Sequence, residues 1–115
     1  MTEVRTAHLL IKHTGSRNPV SRRTGKQVTL TPEEARRELE TYQKRIIDEG
    51  MHEAFPKYAA ERSDCSSYSR QGDLGFFGPG QMQRPFEEAS FALKPGEMSG
   101  IVDTDSGLHL IYRIA

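Results

Sequence analysis

The segment from Gly72 to Ala89 constrains the fold more than any other part of the chain. Four glycines and one proline lie within its first nine residues, which predicts an irregular, tightly turned backbone rather than the interior of a strand or helix. The segment also carries large apolar residues that a free surface loop would not carry: Leu74, Phe76, Phe77, Met82 and Phe86. A turned backbone can hold such side chains around a small concave pocket. We therefore interpret this segment as one wall of a binding site.

Size and composition predict one soluble domain covering residues 1–115 with a single core. No stretch approaches the roughly 18 apolar residues that a membrane span needs, and the N-terminus lacks the layout of a signal peptide. One cysteine cannot form an internal disulfide, which indicates a reducing compartment. We therefore expect a monomer in the cytoplasm, the nucleus or both, without membrane association.

The formal net charge is zero, but the charges are unevenly distributed. No Asp or Glu lies between Val4 and Pro32, a range with six basic residues: Arg5, Lys12, Arg17, Arg22, Arg23 and Lys26. From Glu33 onward there are ten basic and fifteen acidic residues. The basic range is either a solvated loop or an anion site local to one loop. Nucleic acid is disfavoured as a partner, because the segment is short and has few aromatic residues for stacking.

Alternating polarity predicts a first strand over Val4–His13. One face of this strand carries Ala7, Leu9 and Ile11, and the other carries His8 and Lys12. A basic loop, Thr14–Leu30, follows, and we expect it to be mobile unless an anion orders it.

A capping box of Thr31 and Glu34, with Pro32 between them, predicts the start of a long helix. Gly50 predicts its end. Shorter helices are predicted over 53–62 and 85–93, and short strands over 101–102 and 108–114 with a turn at 103–107. This order of elements predicts an α+β fold with helices packed around one sheet.

Four polar residues form a candidate site: His8, Cys65, Ser106 and His109. Taken singly, a lone cysteine is usually a small buried apolar residue, and a strand histidine usually has a structural role. Neighbouring strands would nevertheless let the two imidazoles approach each other, and Ser106 precedes the strand of His109. A metal site is disfavoured, because there is no second cysteine and neither histidine is paired at ligand spacing. We expect no cofactor.

Five motifs, taken together, resemble the parvulin-type peptidyl-prolyl cis/trans isomerases of the eukaryotic kind directed to phosphorylated Ser/Thr-Pro bonds. They are Ala7-His8-Leu9-Leu10-Ile11-Lys12-His13, Ser63-Asp64-Cys65-Ser66-Ser67, Gly72-Asp73-Leu74-Gly75, the run from Gly80 to Ala89, and Asp105-Ser106-Gly107-Leu108-His109. They cover nearly the whole chain in order. The resemblance implies a four-stranded antiparallel sheet wrapped by helices.

The resemblance also implies the roles of individual residues. The catalytic group would be His8, Cys65, Ser106 and His109, and the proline pocket would be Leu74, Met82, Gln83 and Phe86. Phosphate would bind Lys12 and Arg17, and the partners would be proteins with phosphorylated Ser/Thr-Pro motifs. These relatives usually follow the arginine with a second basic residue. Here that residue is Asn18, so Arg22 and Arg23 are the candidates to replace it. The chain has no tryptophan, so we expect no WW module.

Two other functions use the same residues. A cysteine hydrolase would combine a Cys65 thiolate with His8 or His109 as base, but no oxyanion site is evident. A phosphopeptide-binding adaptor with little catalysis would keep Lys12 and Arg17 while tolerating changes at Cys65 and Ser106. Here both of the latter are present, which favours the isomerase.

Overall fold

This computed structural model of the protein describes residues 2–115 and consists of one antiparallel sheet with three α-helices around it. The elements in chain order are β1 (Val4–Ile11), α1 (Pro32–Glu49), α2 (Met51–Arg62), β2 (Asp73–Phe77), α3 (Arg84–Ala92), β3 (Val102–Thr104) and β4 (Gly107–Arg113). A short 3-10 helix, Ser66–Arg70, precedes β2. The strand order is β2-β1-β4-β3, which confirms the predicted α+β class and the four-stranded sheet.

The two faces of the central strand β1 contribute to two different cores, as the alternation of its residues predicts. Ala7, Leu9 and Ile11 pack with α1 and α2 on one face. Phe86 of α3 packs with Ile111 of β4 on the opposite face. The histidine-bearing face of the sheet is therefore the one covered by α3.

Helix α1 begins as predicted. Thr31 Oγ1 accepts a hydrogen bond from Glu34 N at 3.1 Å, and Glu34 Oε1 accepts one from Thr31 N at 2.9 Å. The helix ends before Gly50, whose φ of 99° suits glycine. Helix α2 begins directly afterwards at Met51, two residues earlier than predicted. None of the helices within residues 2–115 is both long enough and apolar enough to cross a membrane.

The prediction of an irregular backbone was wrong for Asp73–Phe77, which forms the edge strand β2. The pairing with β1 joins Arg5 to Phe76 and Ala7 to Asp73, with a shift in register between them. Gly75 has a φ of 74° within this strand. A local bulge absorbs this backbone conformation, so that pairing continues on both sides of it.

We expected the basic loop to be mobile unless an anion orders it, but its backbone is held by hydrogen bonds within the protein. Its ends are joined by a hydrogen bond from Thr14 N to Leu30 O at 2.8 Å. Arg17 N donates to Asp105 O at 2.7 Å, and Arg22 N donates to Asp64 O at 2.9 Å. The protein itself therefore supplies contacts that hold the loop against the β3–β4 turn and the segment after α2.

Candidate active site

Two buried histidines lie at the centre of the sheet, on the face covered by α3. His8 of β1 pairs with Ile111, and His109 of β4 pairs with Leu10, so the two histidines are diagonal neighbours on adjacent strands. Their Nδ1 atoms are 2.9 Å apart, and both residues are buried. Burial lowers the pKa of His109 well below its usual value, and the charge of His8 acts in the same direction. His109 is therefore neutral at physiological pH.

Thr104 lies on the far side of His109 from His8 and hydrogen-bonds to its other ring nitrogen. Its Oγ1 accepts a hydrogen bond from Ser106 N at 3.1 Å and lies 2.7 Å from His109 Nε2. The remaining hydroxyl proton of Thr104 can be donated to His109 Nε2. The proton of neutral His109 is then on Nδ1 and is donated to His8 Nδ1.

Cys65 lies beside His8, at the end of the segment that follows α2. Burial by itself would raise the pKa of the thiol, but the influence of the neighbouring His8 imidazole and of Ser67 outweighs it and lowers the pKa to about 6. His8 Nδ1 contacts His109, and His8 Nε2 is buried with no hydrogen-bond partner among residues 2–115. The structure thus places a partly buried, acidic thiol next to the histidine pair.

The apolar wall predicted from the sequence lies against the same histidines. The Phe86 ring makes edge-on contacts with His8 and His109, at centroid distances of 5.4 and 5.1 Å. Leu74 and Met82 are partly buried and pack in the cluster that contains Phe86. These three side chains form an apolar surface beside the imidazoles.

Gln83 connects this wall to the β3–β4 turn. Its Nε2 donates to Ser106 Oγ at 2.8 Å, and its Oε1 accepts from Asp105 N at 3.2 Å. Because Ser106 Oγ accepts this bond, its own hydroxyl proton remains available to another acceptor. Gln83 therefore fixes the position of Ser106 relative to α3.

A cavity of about 480 Å³ joins the thiol to the basic loop. Its lining residues are Leu10, Lys12, Arg17, Asn18, Arg22, Cys65, Ser66 and Ser106. Three of them are basic, and none is acidic. The cavity thus presents positive charge beside a thiol and a hydroxyl, which suits an anionic ligand with a neighbouring polar group.

Lys12 is the most buried of the three basic residues in the cavity. It is 6% exposed, and its Nζ donates to Val20 O at 2.7 Å. Burial lowers the pKa of Lys12, nearby Arg22 lowers it further, and the Asp64 carboxylate opposes both effects. Lys12 therefore both holds the basic loop and contributes charge to the cavity.

The structure does not bring every candidate residue together. Arg23 lines a different cavity, with Glu38, Arg62 and Asp64 among its neighbours, so it lies apart from Lys12, Arg17 and Arg22. Arg22 and Arg23 are neighbours in a turn that is closed by the hydrogen bond from Gly25 N to Ser21 O. Because the backbone turns at this point, the two side chains lie on different sides of the loop.

Within residues 2–115, no group of His, Cys, Asp and Glu is arranged to hold a metal ion.

Sequence reasoning gave no role to two residues that organise the site. Thr104 orients His109, and its proximity in sequence to Ser106 was the available signal. Asp64 is buried and accepts hydrogen bonds from Lys12 N and from the Ser21 hydroxyl. It precedes Cys65 in a recognised motif, but its partners lie about 40 to 50 residues away along the chain.

Comparison with known proteins identifies the family. The family model described as the PPIC-type PPIASE domain, or rotamase, matches residues 8–115. A peptidyl-prolyl cis-trans isomerase NIMA-interacting 1 from Theileria annulata is 53% identical over 116 residues, covering 100% of this chain and 82% of that protein. Peptidyl-prolyl cis-trans isomerase ESS1 from Saccharomyces cerevisiae is 50% identical over 111 residues, covering 96% of this chain and 65% of that protein.

Solved structures agree with this match. Peptidyl-prolyl isomerase ESS1 from Candida albicans superposes with a TM-score of 0.92 at 43% identity, covering 98% of this chain and 63% of that one. The solution structure of TbPIN1 gives a TM-score of 0.87 at 53% identity, covering 98% and 97% of the two chains. The chain therefore belongs to the parvulin-type peptidyl-prolyl cis/trans isomerases of the Pin1-like kind, and it catalyses the cis/trans isomerisation of Xaa-Pro bonds in protein substrates.

Proposed function

We propose that this isomerase prefers Xaa-Pro bonds in which Xaa is phosphoserine or phosphothreonine. The observation that supports the preference is the cavity that Lys12, Arg17 and Arg22 share with Cys65 and Ser106. A phosphate among the three basic residues would place the following prolyl bond beside the thiol and the hydroxyl. The substrates would accordingly be proteins with phosphorylated Ser/Thr-Pro motifs.

The apolar wall would hold the proline ring. Rotation about a prolyl bond breaks no σ bond, and its barrier of roughly 18–20 kcal/mol is the loss of amide resonance. The twisted amide has less charge separation than the planar one, so an apolar environment favours it. Leu74, Met82 and Phe86 provide that environment, and Gln83 borders it. A fixed ring lets the carbonyl of the preceding residue turn while the proline stays in place.

The polar groups would act on the rotating carbonyl oxygen. Ser106 retains a hydroxyl proton to donate, because Gln83 occupies one of its acceptor positions. Cys65 and the two histidines complete a preorganised polar surface next to the apolar wall. Fixed groups of this kind stabilise a transition state without reorganising during the reaction. We assign the catalytic roles to His8, Cys65, Ser106 and His109.

The phosphate would supply binding energy away from the rotating bond. Hydrogen bonds to charged groups contribute about 1.5–3 kcal/mol each. Energy of this kind can orient the peptide so that the carbonyl and the proline ring meet their surfaces. The preference would therefore be expressed in kcat/KM for phosphorylated peptides.

Exchange spectroscopy on matched peptides tests the proposal. Cis/trans exchange is measured by two-dimensional NMR on peptides that contain phosphoSer-Pro, Glu-Pro or Ser-Pro. We expect the Lys12→Ala and Arg17→Ala double variant to lose at least tenfold in kcat/KM on the phosphorylated peptide and much less on Ser-Pro. Equal losses on all three peptides would overturn the phosphate assignment.

One matched control and one test of the proline pocket accompany the double variant. Lys26→Ala removes an exposed positive charge from the same loop, outside the cavity, and should leave all rates within twofold. Met82→Ala should reduce exchange about tenfold on all three peptides alike, since it removes part of the proline surface. An unaffected rate would remove Met82 from the proline pocket.

We also propose that the protein works in the cytoplasm, the nucleus or both, as a monomer. The free thiol of Cys65 supports a reducing compartment. Imaging of the tagged protein in its own cells tests the location, and sedimentation of the purified protein tests the monomer. Confinement to a secretory compartment would contradict the location.

A further inference from the structure

Asp64 connects three parts of the molecule that meet behind the basic cavity. Its buried carboxylate accepts hydrogen bonds from Lys12 N at 3.0 Å, the Ser21 hydroxyl at 2.6 Å and Arg62 Nη1 at 3.0 Å. Its own N–H donates to Leu10 O at 2.8 Å, and its carbonyl accepts from Arg22 N at 2.9 Å. One residue thus contacts the end of β1, the end of α2 and the basic loop.

These contacts fix the backbone positions of two of the three basic residues in the cavity. Asp64 binds the backbone N–H of Lys12 and of Arg22, and both residues line the cavity beside Cys65. The hydroxyl of Ser21, the residue before Arg22, is held by the same carboxylate. The positions from which the Lys12 and Arg22 side chains enter the cavity are therefore fixed by Asp64.

Charge gives Asp64 a second effect on the cavity. Arg62 forms a paired contact with Glu38, at 2.8 and 3.0 Å, in addition to its bond with Asp64. Arg62, Glu38 and Asp64 together carry one net negative charge. This charge lies next to the basic loop, since Asp64 also bonds to Ser21. The three cations around the cavity repel one another, and the buried Asp64 carboxylate behind them offsets that repulsion.

We propose that Asp64 is the positioning residue that preorganises the basic loop for phosphate, an inference that rests on the proposed preference for phosphorylated substrates. Asp64 does not line the cavity and acts through Lys12, Ser21 and Arg22. Preorganisation matters because a loop that must be ordered during binding loses affinity to the entropy of ordering. Asp64 therefore affects the binding of the phosphorylated peptide and leaves the rotation step to the residues next to the proline.

Steady-state kinetics on a phosphoSer-Pro peptide and a plain Ser-Pro peptide tests this role with Asp64→Asn. The asparagine keeps the shape but replaces one acceptor oxygen with an NH₂ group and removes the charge. We expect KM for the phosphorylated peptide to rise about tenfold, with kcat and the plain-peptide kcat/KM within twofold. A role confined to stability would instead lower the rates on both peptides together.

Two more variants keep the test decisive if Asp64→Asn folds poorly. Ser21→Ala removes one of the Asp64 contacts and leaves the carboxylate in place, and it also removes the longer bonds that Ser21 Oγ accepts from Arg23 N and Thr24 N. We expect a rise in KM of about threefold on the phosphorylated peptide alone. Thr24→Ala is the matched control, since among residues 2–115 its exposed hydroxyl bonds only to Lys26 N. We expect no change for this variant.

The outcomes separate the two proposals. If the wild-type protein turns over both peptides with equal kcat/KM, the phosphate preference fails and the role of Asp64 fails with it. If the wild type discriminates and Ser21→Ala and Asp64→Asn discriminate equally well, only the role of Asp64 is overturned. A rise in KM restricted to the phosphorylated peptide supports it.

Discussion

The histidine pair and the basic loop are two halves of one site with opposite physical character. His8 and His109 are buried on the two central strands, and His109 hydrogen-bonds both to His8 and to the buried Thr104 of the edge strand β3. Arg17, Asn18 and Arg22 are exposed on a loop without regular secondary structure. The buried half offers fixed geometry in a medium of low polarity, and the exposed half offers charge to an arriving ligand.

This difference predicts which property, stability or ligand affinity, a substitution in each half should change. An unsatisfied polar group costs most where water cannot replace the lost partner. A change at an exposed loop position alters affinity for a charged ligand by a smaller amount. Changes in the buried half should therefore affect stability and all substrates, and changes in the loop should separate one substrate from another.

Removing one member of the histidine pair should have the largest effect. His109→Ala leaves a cavity and deprives both His8 and Thr104 of a partner, so we expect the free energy of unfolding to drop by about 3 kcal/mol. Denaturant unfolding measures it. His52→Ala, at an exposed histidine, is the control and should change stability by less than about 0.5 kcal/mol. A loss below about 1 kcal/mol for His109→Ala would contradict the importance of the buried pair.

The thiol next to the pair should titrate far from its ordinary range. The pKa of Cys65 is lowered to about 6, so the reactive thiolate predominates above that pH and is lost below it. We expect the rate of iodoacetamide labelling to be half its plateau near pH 6 and constant by pH 8, whereas an ordinary thiol has its midpoint near 8.5.

His8→Gln provides the comparison for that titration. Without the imidazole, burial is left to raise the pKa of Cys65, so the labelling midpoint should rise by at least about one pH unit. Cys65→Ser should abolish labelling, since the chain has one cysteine. A midpoint that is the same with and without His8 would show that the imidazole does not control the thiol.

The smallest effect should come from the exposed half. Asn18 lines the basic cavity, so Asn18→Arg adds a fourth cation there. We expect kcat/KM for the phosphoSer-Pro peptide to rise about two- to fivefold, the size of an exposed ion pair, with no change on Ser-Pro. Asn18→Gln controls for side-chain length without charge. An equal rise on both peptides would mean that the added arginine does not act on phosphate.

The sequence predicted best what depends on neighbouring residues. The capping box of Thr31 and Glu34 involves residues three apart, and both of its hydrogen bonds are present. The faces of β1 follow from the alternation of side chains along one strand, so His8 and Ala7 were assigned to opposite faces correctly. Local chemistry was sufficient in both cases.

Features fixed by distant contacts were not predicted. Strand β2 was missed because Gly75 and the glycines on either side of the strand predict turns, and only its pairing with β1 shows how a bulge accommodates Gly75. The ordering of the basic loop depends on Asp64 and Asp105, which are far from it in sequence. Arg23 was grouped with Arg22 on sequence adjacency alone, which does not specify the side of the loop on which each side chain lies.

His8 and Lys12 lie on one segment of backbone, and the distance between them would limit the spacing of phosphate and proline in a bound peptide. Lys12 directly follows β1, and four residues of extended chain separate its Cα from that of His8 by about 13 Å. On one side the stretch from His8 to Ile11 pairs with β4. On its other side it is hydrogen-bonded by Gly72 O, Ser63 Oγ and Asp64. A peptide with its phosphate one residue further from the proline would present it about 3.3 Å out of place. If the proposed preference for phosphorylated substrates holds, the sheet would therefore set the spacing between the phosphate and the prolyl bond.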